Sequence, residues 1–340
     1  MTAHPISRRT LLAGSAALAA GASLAGGALP ANAATFIKGA DISWTPQMEA
    51  AGLYWLDASG AKHDLLTILA QYGISAIRLR TWVNPSSDPS NGHCTIQEMS
   101  AYAARVKARG MQVMLDLHFG DTWNSVGVQN PPAAWQNYSY SQMRDAMYDY
   151  VYHTMNVMKY YGVTPAWVQI GNEINSGICR PVGSVSNPAQ MTGLLNAAYE
   201  MVKAVFPNTL VMIHLAQPQN YDVMQTFFSR YAANGGKWDI NGFSSYGSAD
   251  VAAGIVGNMK SISDAYGKPF MQVEFGGRVD RVSSTQAALK AYITALKANG
   301  GQGLFYWEPA IMSQFNSYGS GAWDSATRKP TAIMDGFTQA

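Results

Sequence analysis

Eight times between Ile37 and Trp307 a short apolar run gives way to a longer stretch with helical spacing. The runs are 37–42, 76–80, 112–118, 168–174, 210–214, 239–243, 270–274 and 303–307. Strict alternation of this kind implies parallel strands joined by right-handed crossovers. The intervening segments carry apolar residues on one helical face: Leu65, Leu66, Leu69 and Tyr72 in the first, then 96–109, 141–161, 188–206, 222–234, 251–266 and 284–299. A last helical segment falls at 331–337. A doubly wound open sheet would bring a glycine-rich phosphate turn after its first strand. Here the first strand runs into Ser43-Trp44-Thr45-Pro46, which cannot cradle a pyrophosphate. The expectation is a single-domain (β/α)8 barrel over residues 34–340, a length that exceeds the roughly 250 residues such a barrel needs.

Two of the runs end in glutamate. Val168-Gln169-Ile170 leads into Gly171-Asn172-Glu173, and Phe270-Met271-Gln272-Val273 ends on Glu274. In a closed parallel barrel every strand tip lies on one face, and that face carries the chemistry. Paired carboxyls there point to glycoside hydrolysis. The retaining form needs a carboxylate nucleophile and an acid/base about 5–5.5 Å apart. Residues two apart along a strand share a face, so Arg78 pairs with Arg80, Asp116 with His118, and Met212 with His214. Arg78 is the candidate cation that keeps a nucleophile ionised, with Tyr246 donating a hydrogen bond. Asn172, beside the candidate acid, is placed to bind a sugar 2-hydroxyl. Arg80 fits either the site or its surroundings, Asp116 fits a buried support, and Glu308 an anchor for the loop after the eighth strand. His118 and His214 are read as orienting or sugar-contacting groups, since no His-x-His or His-Glu-x-x-His pattern suggests zinc.

The chain has nine tryptophans. Trp44, Trp82, Trp123, Trp307 and Trp323 follow strand ends, where indoles stack on the C–H faces of sugar rings. A string of them suggests several subsites, hence internal cleavage of a polymer. Trp55, Trp135, Trp167 and Trp238 are assigned to the core.

Residues 1–33 read as an address. Ser7-Arg8-Arg9-Thr10-Leu11-Leu12 is a twin-arginine pattern, a small-residue apolar run follows, and Ala31-Asn32-Ala33 offers a cleavage site. The expected location is secreted or periplasmic. Removing Arg8 and Arg9 takes the formal charge from +2 to zero. A neutral mature protein has no electrostatic case for nucleic acid or anionic membranes and suits a neutral polysaccharide. A monomer without cofactor or metal is expected. Cys94 and Cys179 could pair across loops of one barrel face.

These motifs resemble glycoside hydrolase family 53, the endo-β-1,4-galactanases. The similarity runs from about Phe36 to the last helix. It is densest at Phe36–Asp41, at Ile77–Pro85, at 115–123 with Gly120-Asp121-Thr122-Trp123, at Gln169–Glu173, and at Tyr306-Trp307-Glu308-Pro309. The resemblance implies Glu173 as acid/base and Glu274 as nucleophile in endo-hydrolysis of β-1,4-galactan, as in type I arabinogalactan. Asp121, in the loop after the third strand, is read among the residues that bind or orient substrate. Two loops depart from the family pattern: Ser244-Ser245-Tyr246-Gly247 is less aromatic, and Phe275-Gly276-Gly277-Arg278 replaces a Thr-Ala-Tyr-Pro-like stretch. Other neutral β-glycans such as mannan therefore stay open, as does a carbohydrate-binding protein without turnover. Bacterial relatives often hold calcium in the last loop, but residues 309–328 contain only Asp324 as an acid, so no calcium is expected.

Overall fold

In a computed structural model of the chain, residues 35–86 and 93–340 are described. The proposed leader, residues 1–33, lies outside them. Eight parallel strands close into one barrel in sequential order. They are β1 (Ile37–Asp41), β2 (Ala76–Thr81), β3 (Gln112–Leu117), β4 (Trp167–Ile170), β5 (Leu210–Ala216), β6 (Ile240–Ser244), β7 (Phe270–Phe275) and β8 (Gly303–Trp307). Closure is made where β1 pairs with both β2 and β8. A six-residue helix, Thr45–Ala50, follows β1, and the longer helices between the strands are α1 (Leu65–Gln71), α2 (Ile96–Ala108), α3 (Tyr140–Tyr160), α4 (Pro188–Val205), α5 (Tyr221–Ala233), α6 (Ala252–Ala265) and α7 (Val282–Ala298). The expected last helix is a short 3-10 turn, Met334–Phe337.

Local sequence explains the boundaries. Asp64, Thr95 and Ser139 cap α1, α2 and α3, and Ser139 forms a reciprocal capping box with Gln142. Met114, Trp167, Met212, Met271 and Phe305 plug the barrel floor, and a larger cluster fills the space between strands and helices. The floor packs closely: a Cβ on Gly39 would fall 2.2 Å from the Phe305 ring. Among the described residues no helix is long and apolar enough to cross a membrane.

Three short hairpins brace the loops at the strand tips: Trp55–Leu56 with Lys62–His63, Gly177–Ile178 with Gly183–Ser184, and Trp323–Asp324 with Lys329–Pro330. The first is tied to the loop after β8, because Trp55 Nε1 donates to the Ala310 carbonyl at 2.8 Å. Cys94 and Cys179 are both buried and unpaired, so no disulfide joins those loops. Phe119, Glu173, Gln217 and Glu308, each just past a strand tip, hold left-handed φ angles of 48° to 56°. Non-glycine residues pay for that conformation, and such outliers cluster at functional sites.

Candidate active site

The site is built around one buried cation. Register puts Arg78 on β2 beside Asp41 on β1. Its Nη1 donates to Asp41 Oδ2 at 2.7 Å and lies 2.8 Å from Glu274 Oε1. Its Nη2 donates to Asp116 Oδ2 at 2.8 Å and Asn172 Oδ1 at 2.9 Å, and its Nε donates to Gln169 Oε1 at 3.2 Å. A guanidinium can serve all of these because its donors form a rigid planar fork. Asp116 also accepts from Gln169 Nε2 at 2.6 Å and meets His118 Nε2 at 2.9 Å. Burial would raise the Asp116 carboxyl, but Arg78 and His118 outweigh it and hold it at about 2.

Glu274 stands on the open side of this cluster. Tyr246 donates its phenol to Glu274 Oε2 at 2.8 Å, while Arg78 holds the other oxygen. Burial pushes the Glu274 carboxyl up, to about 8. Arg78 pulls it back, and the negative charge of Glu173 adds to the rise.

Glu173 arrives from the opposite wall. β4 stops at Ile170 because Gly171 turns the chain at φ +98°, where a Cβ would sit 2.6 Å from Ile174 Cγ2. The turn aims Asn172 inward, and the left-handed Glu173 reaches over to β6, where Ser244 Oγ donates to its Oε1 at 2.6 Å. Ser244 is the register partner of Glu274, so this tie draws Glu173 toward the tip of β7, and both glutamates line one cavity. His214 lies beneath them, fully buried. Burial, with the Arg78 charge, holds its imidazole well below its ordinary value. The neutral ring accepts from the Glu173 amide through Nδ1 at 3.3 Å.

The cleft above has two lobes of about 540 Å³ each, which share Glu173 and Tyr246. The first carries both glutamates, Asn172, His118 and a wall of Trp44, Trp123, Trp307 and Tyr318. The second touches Glu173 but not Glu274 and is floored by Ala216, Gln217, Ser244 and Ser245, with Val251 and Ile255 at its side. Thus Glu173, Glu274, Asn172, His118, Tyr246, Trp123 and Trp307 come together around the cleft, with Arg78 and His214 directly below.

Three expected sugar contacts are placed elsewhere. Trp82 is buried behind the wall, edge-on to Trp123 at 5.3 Å. Trp323 is buried in the hairpin of the last loop, opposite Pro330. Asp121 accepts from the Asn84 and Ala133 amides, both at 2.9 Å, and so ties two loops instead of facing the cleft. Conversely, Asp41, Gln169 and Ser244 belong to the site without having been singled out as site residues. The strand-end position of Asp41 and the inward parity of Gln169 were the available signals.

A closed (β/α)8 barrel with two glutamates facing one aromatic-walled cleft defines a glycoside hydrolase. The family model of Glycosyl hydrolase family 53 matches residues 37–334, and the chain belongs to that family. A probable arabinogalactan endo-beta-1,4-galactanase A of Neosartorya fischeri is 30% identical over 82% of this chain and 85% of its own length. The arabinogalactan endo-beta-1,4-galactanase of Humicola insolens is 28% identical over 86% of this chain and 95% of its own. Among solved structures, the GH53 catalytic domain of Ignisphaera aggregans superimposes with a TM-score of 0.82 at 28% identity, covering 91% of this chain and 97% of that one.

Proposed function

We propose that this protein is a retaining endo-β-1,4-galactanase acting on the galactan of type I arabinogalactan. The observation that carries the mechanism is the environment of Glu274. Arg78 and Tyr246 both donate to it, one to each oxygen, and two donors, one of them a cation, favour its carboxylate form. Glu274 is therefore the nucleophile. It attacks the anomeric carbon while Glu173 gives its proton to the departing glycosidic oxygen, leaving a galactosyl ester on Glu274. Glu173, now a carboxylate, then takes a proton from water, whose oxygen displaces Glu274 and releases the sugar. Asn172 is fixed through Oδ1 by Arg78 and donates one amide hydrogen to the Asn124 carbonyl. Its second amide hydrogen is left for the sugar 2-hydroxyl. The continuation of the cleft past Glu173 supports endo action, because a polymer needs room on both sides of the cut bond.

The named relatives favour galactan among the neutral β-glycans. The neutral charge after loss of Arg8 and Arg9 fits a neutral polysaccharide partner rather than nucleic acid or membrane. The twin-arginine leader suits export of a folded monomer, which Arg8→Lys/Arg9→Lys would test by retaining the enzyme in the cytoplasm. The deciding experiment is hydrolysis of pectic galactan, mannan, xylan and cellulose with the new reducing end followed by NMR. Short galacto-oligosaccharides released first as the β-anomer are expected. Cleavage of mannan alone, or an initial α-anomer, overturns the proposal.

A further inference from the structure

Arg80 shares the inward face of β2 with Arg78 but touches neither glutamate proposed for the chemistry. It is fully buried, and its guanidinium carbon lies 4.5 Å from the Trp123 ring centroid, 4.8 Å from Trp44, 5.8 Å from Trp82 and 6.0 Å from Trp307. Its Nη1 donates to Glu308 Oε1 at 2.8 Å, the same oxygen that accepts the Trp44 backbone amide at 3.1 Å. Nη1 also lies 3.7 Å from Asp41 Oδ1. Nε and Nη2 meet no hydrogen-bond acceptor. The rings around them take that place, since an indole face attracts a cation. The same rings hold one another edge to face: Trp44 lies 5.7 Å from Trp123 and 5.4 Å from Trp307, and Trp123 lies 5.9 Å from Trp307.

We infer that Arg80 is a positioning residue for saccharide binding. From beneath, it fixes the three cleft tryptophans as one wall on which sugar rings of the bound chain stack. The inference rests on the galactanase reading for the identity of that chain. A planar fork under the rings sets their tilt, and Glu308 locks the fork to the Trp44 loop, so the wall is ordered before substrate arrives. It holds the wall and neither glutamate, and that separates it from Arg78, which holds Glu274.

The test pairs Arg80→Met with Glu308→Gln, so that no carboxylate is left buried alone. Binding of galactotetraose is read from tryptophan fluorescence, and turnover is read with the same sugar. Kd and KM are expected to rise about tenfold or more while kcat changes much less. Arg80→Lys, which keeps the charge but loses the fork, should fall between the wild type and the double variant. A folded double variant with wild-type Kd overturns the inference. If the double variant does not fold, wild-type Kd and KM in Arg80→Lys overturn it instead. Failure of the wild type itself to bind galactotetraose would count against the galactanase reading.

Discussion

Replacing Tyr246 by phenylalanine removes one hydrogen bond and little else. The phenol lies 2.8 Å from Glu274 Oε2, while the ring flanks both lobes of the cleft and stays in the variant. A hydrogen bond to a charged acceptor contributes about 1.5–3 kcal/mol. The phenol can donate to the carboxylate but stabilises the protonated form far less, so its loss favours protonation of Glu274. At 1.36 kcal/mol per pH unit, the carboxyl moves up by about one to two units. The starting point is already high, about 8, because burial opposes the charge. In the proposed mechanism only the carboxylate attacks, so the acidic limb of kcat/KM belongs to Glu274 and shifts upward by the same amount. Well below that limb, the variant's kcat/KM falls by about ten- to a hundredfold through protonation alone. Above it the gap narrows. The assay is a pH profile of kcat/KM on a soluble galacto-oligosaccharide for both proteins. A uniform loss at every pH with an unmoved acidic limb would refute the reasoning, because Tyr246 would then be shaping the cleft and not holding the charge.

The stability of the fold should report on the same group. Folded Glu274 is raised from its ordinary 4.5 to about 8, so the folded state binds the extra proton between those values and loses stability as pH rises through them. Glu274→Gln should therefore abolish turnover and raise the melting temperature at pH 8 by a few degrees, with little change at pH 4. Superimposable melting curves against pH for the two proteins would reject this assignment. At Gly171 an added Cβ meets Ile174 at 2.6 Å on a backbone at φ +98°. Gly171→Ala is expected to destabilise the protein by about 1–3 kcal/mol and to lower kcat by disturbing the turn that carries Asn172 and Glu173. Denaturant melts and kcat at saturating substrate check both effects, and an unchanged kcat would show that the turn does not set the position of Glu173.

The barrel was legible because each strand is a run of apolar residues bounded by turn chemistry, and each helix shows one apolar face. All eight strands fall within a few residues of their expected places. The fourth departs most, since the run to Ile174 looks continuous while Gly171 breaks the strand after Ile170. Strand-tip glutamates and inward parity were enough to bring Glu173, Glu274, Arg78 and His118 together. The tryptophans were harder to place. Trp82 and Trp323 follow strand ends just as Trp44, Trp123 and Trp307 do, yet neither lines the cleft. Which indole faces the cleft depends on loop direction, and that is set by distant ties such as Asp121 to the Asn84 and Ala133 amides. Ser244 was equally hidden, because its tie to Glu173 joins residues 71 apart and depends on the turn at Gly171.

One consequence of the register reaches the chemistry directly. Arg78 is shared among Asp41, Asp116 and Glu274, so the proposed nucleophile has no cation of its own. Asp116, held at about 2, stays charged, and its charge raises Glu274 just as Arg78 lowers it. A carboxylate with an exclusive guanidinium would be a settled ion and a poor nucleophile. A buried one with no cation would keep its proton and not attack at all. Dividing one cation among three buried carboxylates puts Glu274 between these limits, ionisable yet still held weakly enough to attack. The two donors on it, Arg78 and Tyr246, fix the direction of attack in the proposed mechanism. Strand order makes this division possible, because β1, β2 and β3 are neighbours and Arg78 on the middle strand reaches Asp41 on one side and Asp116 on the other.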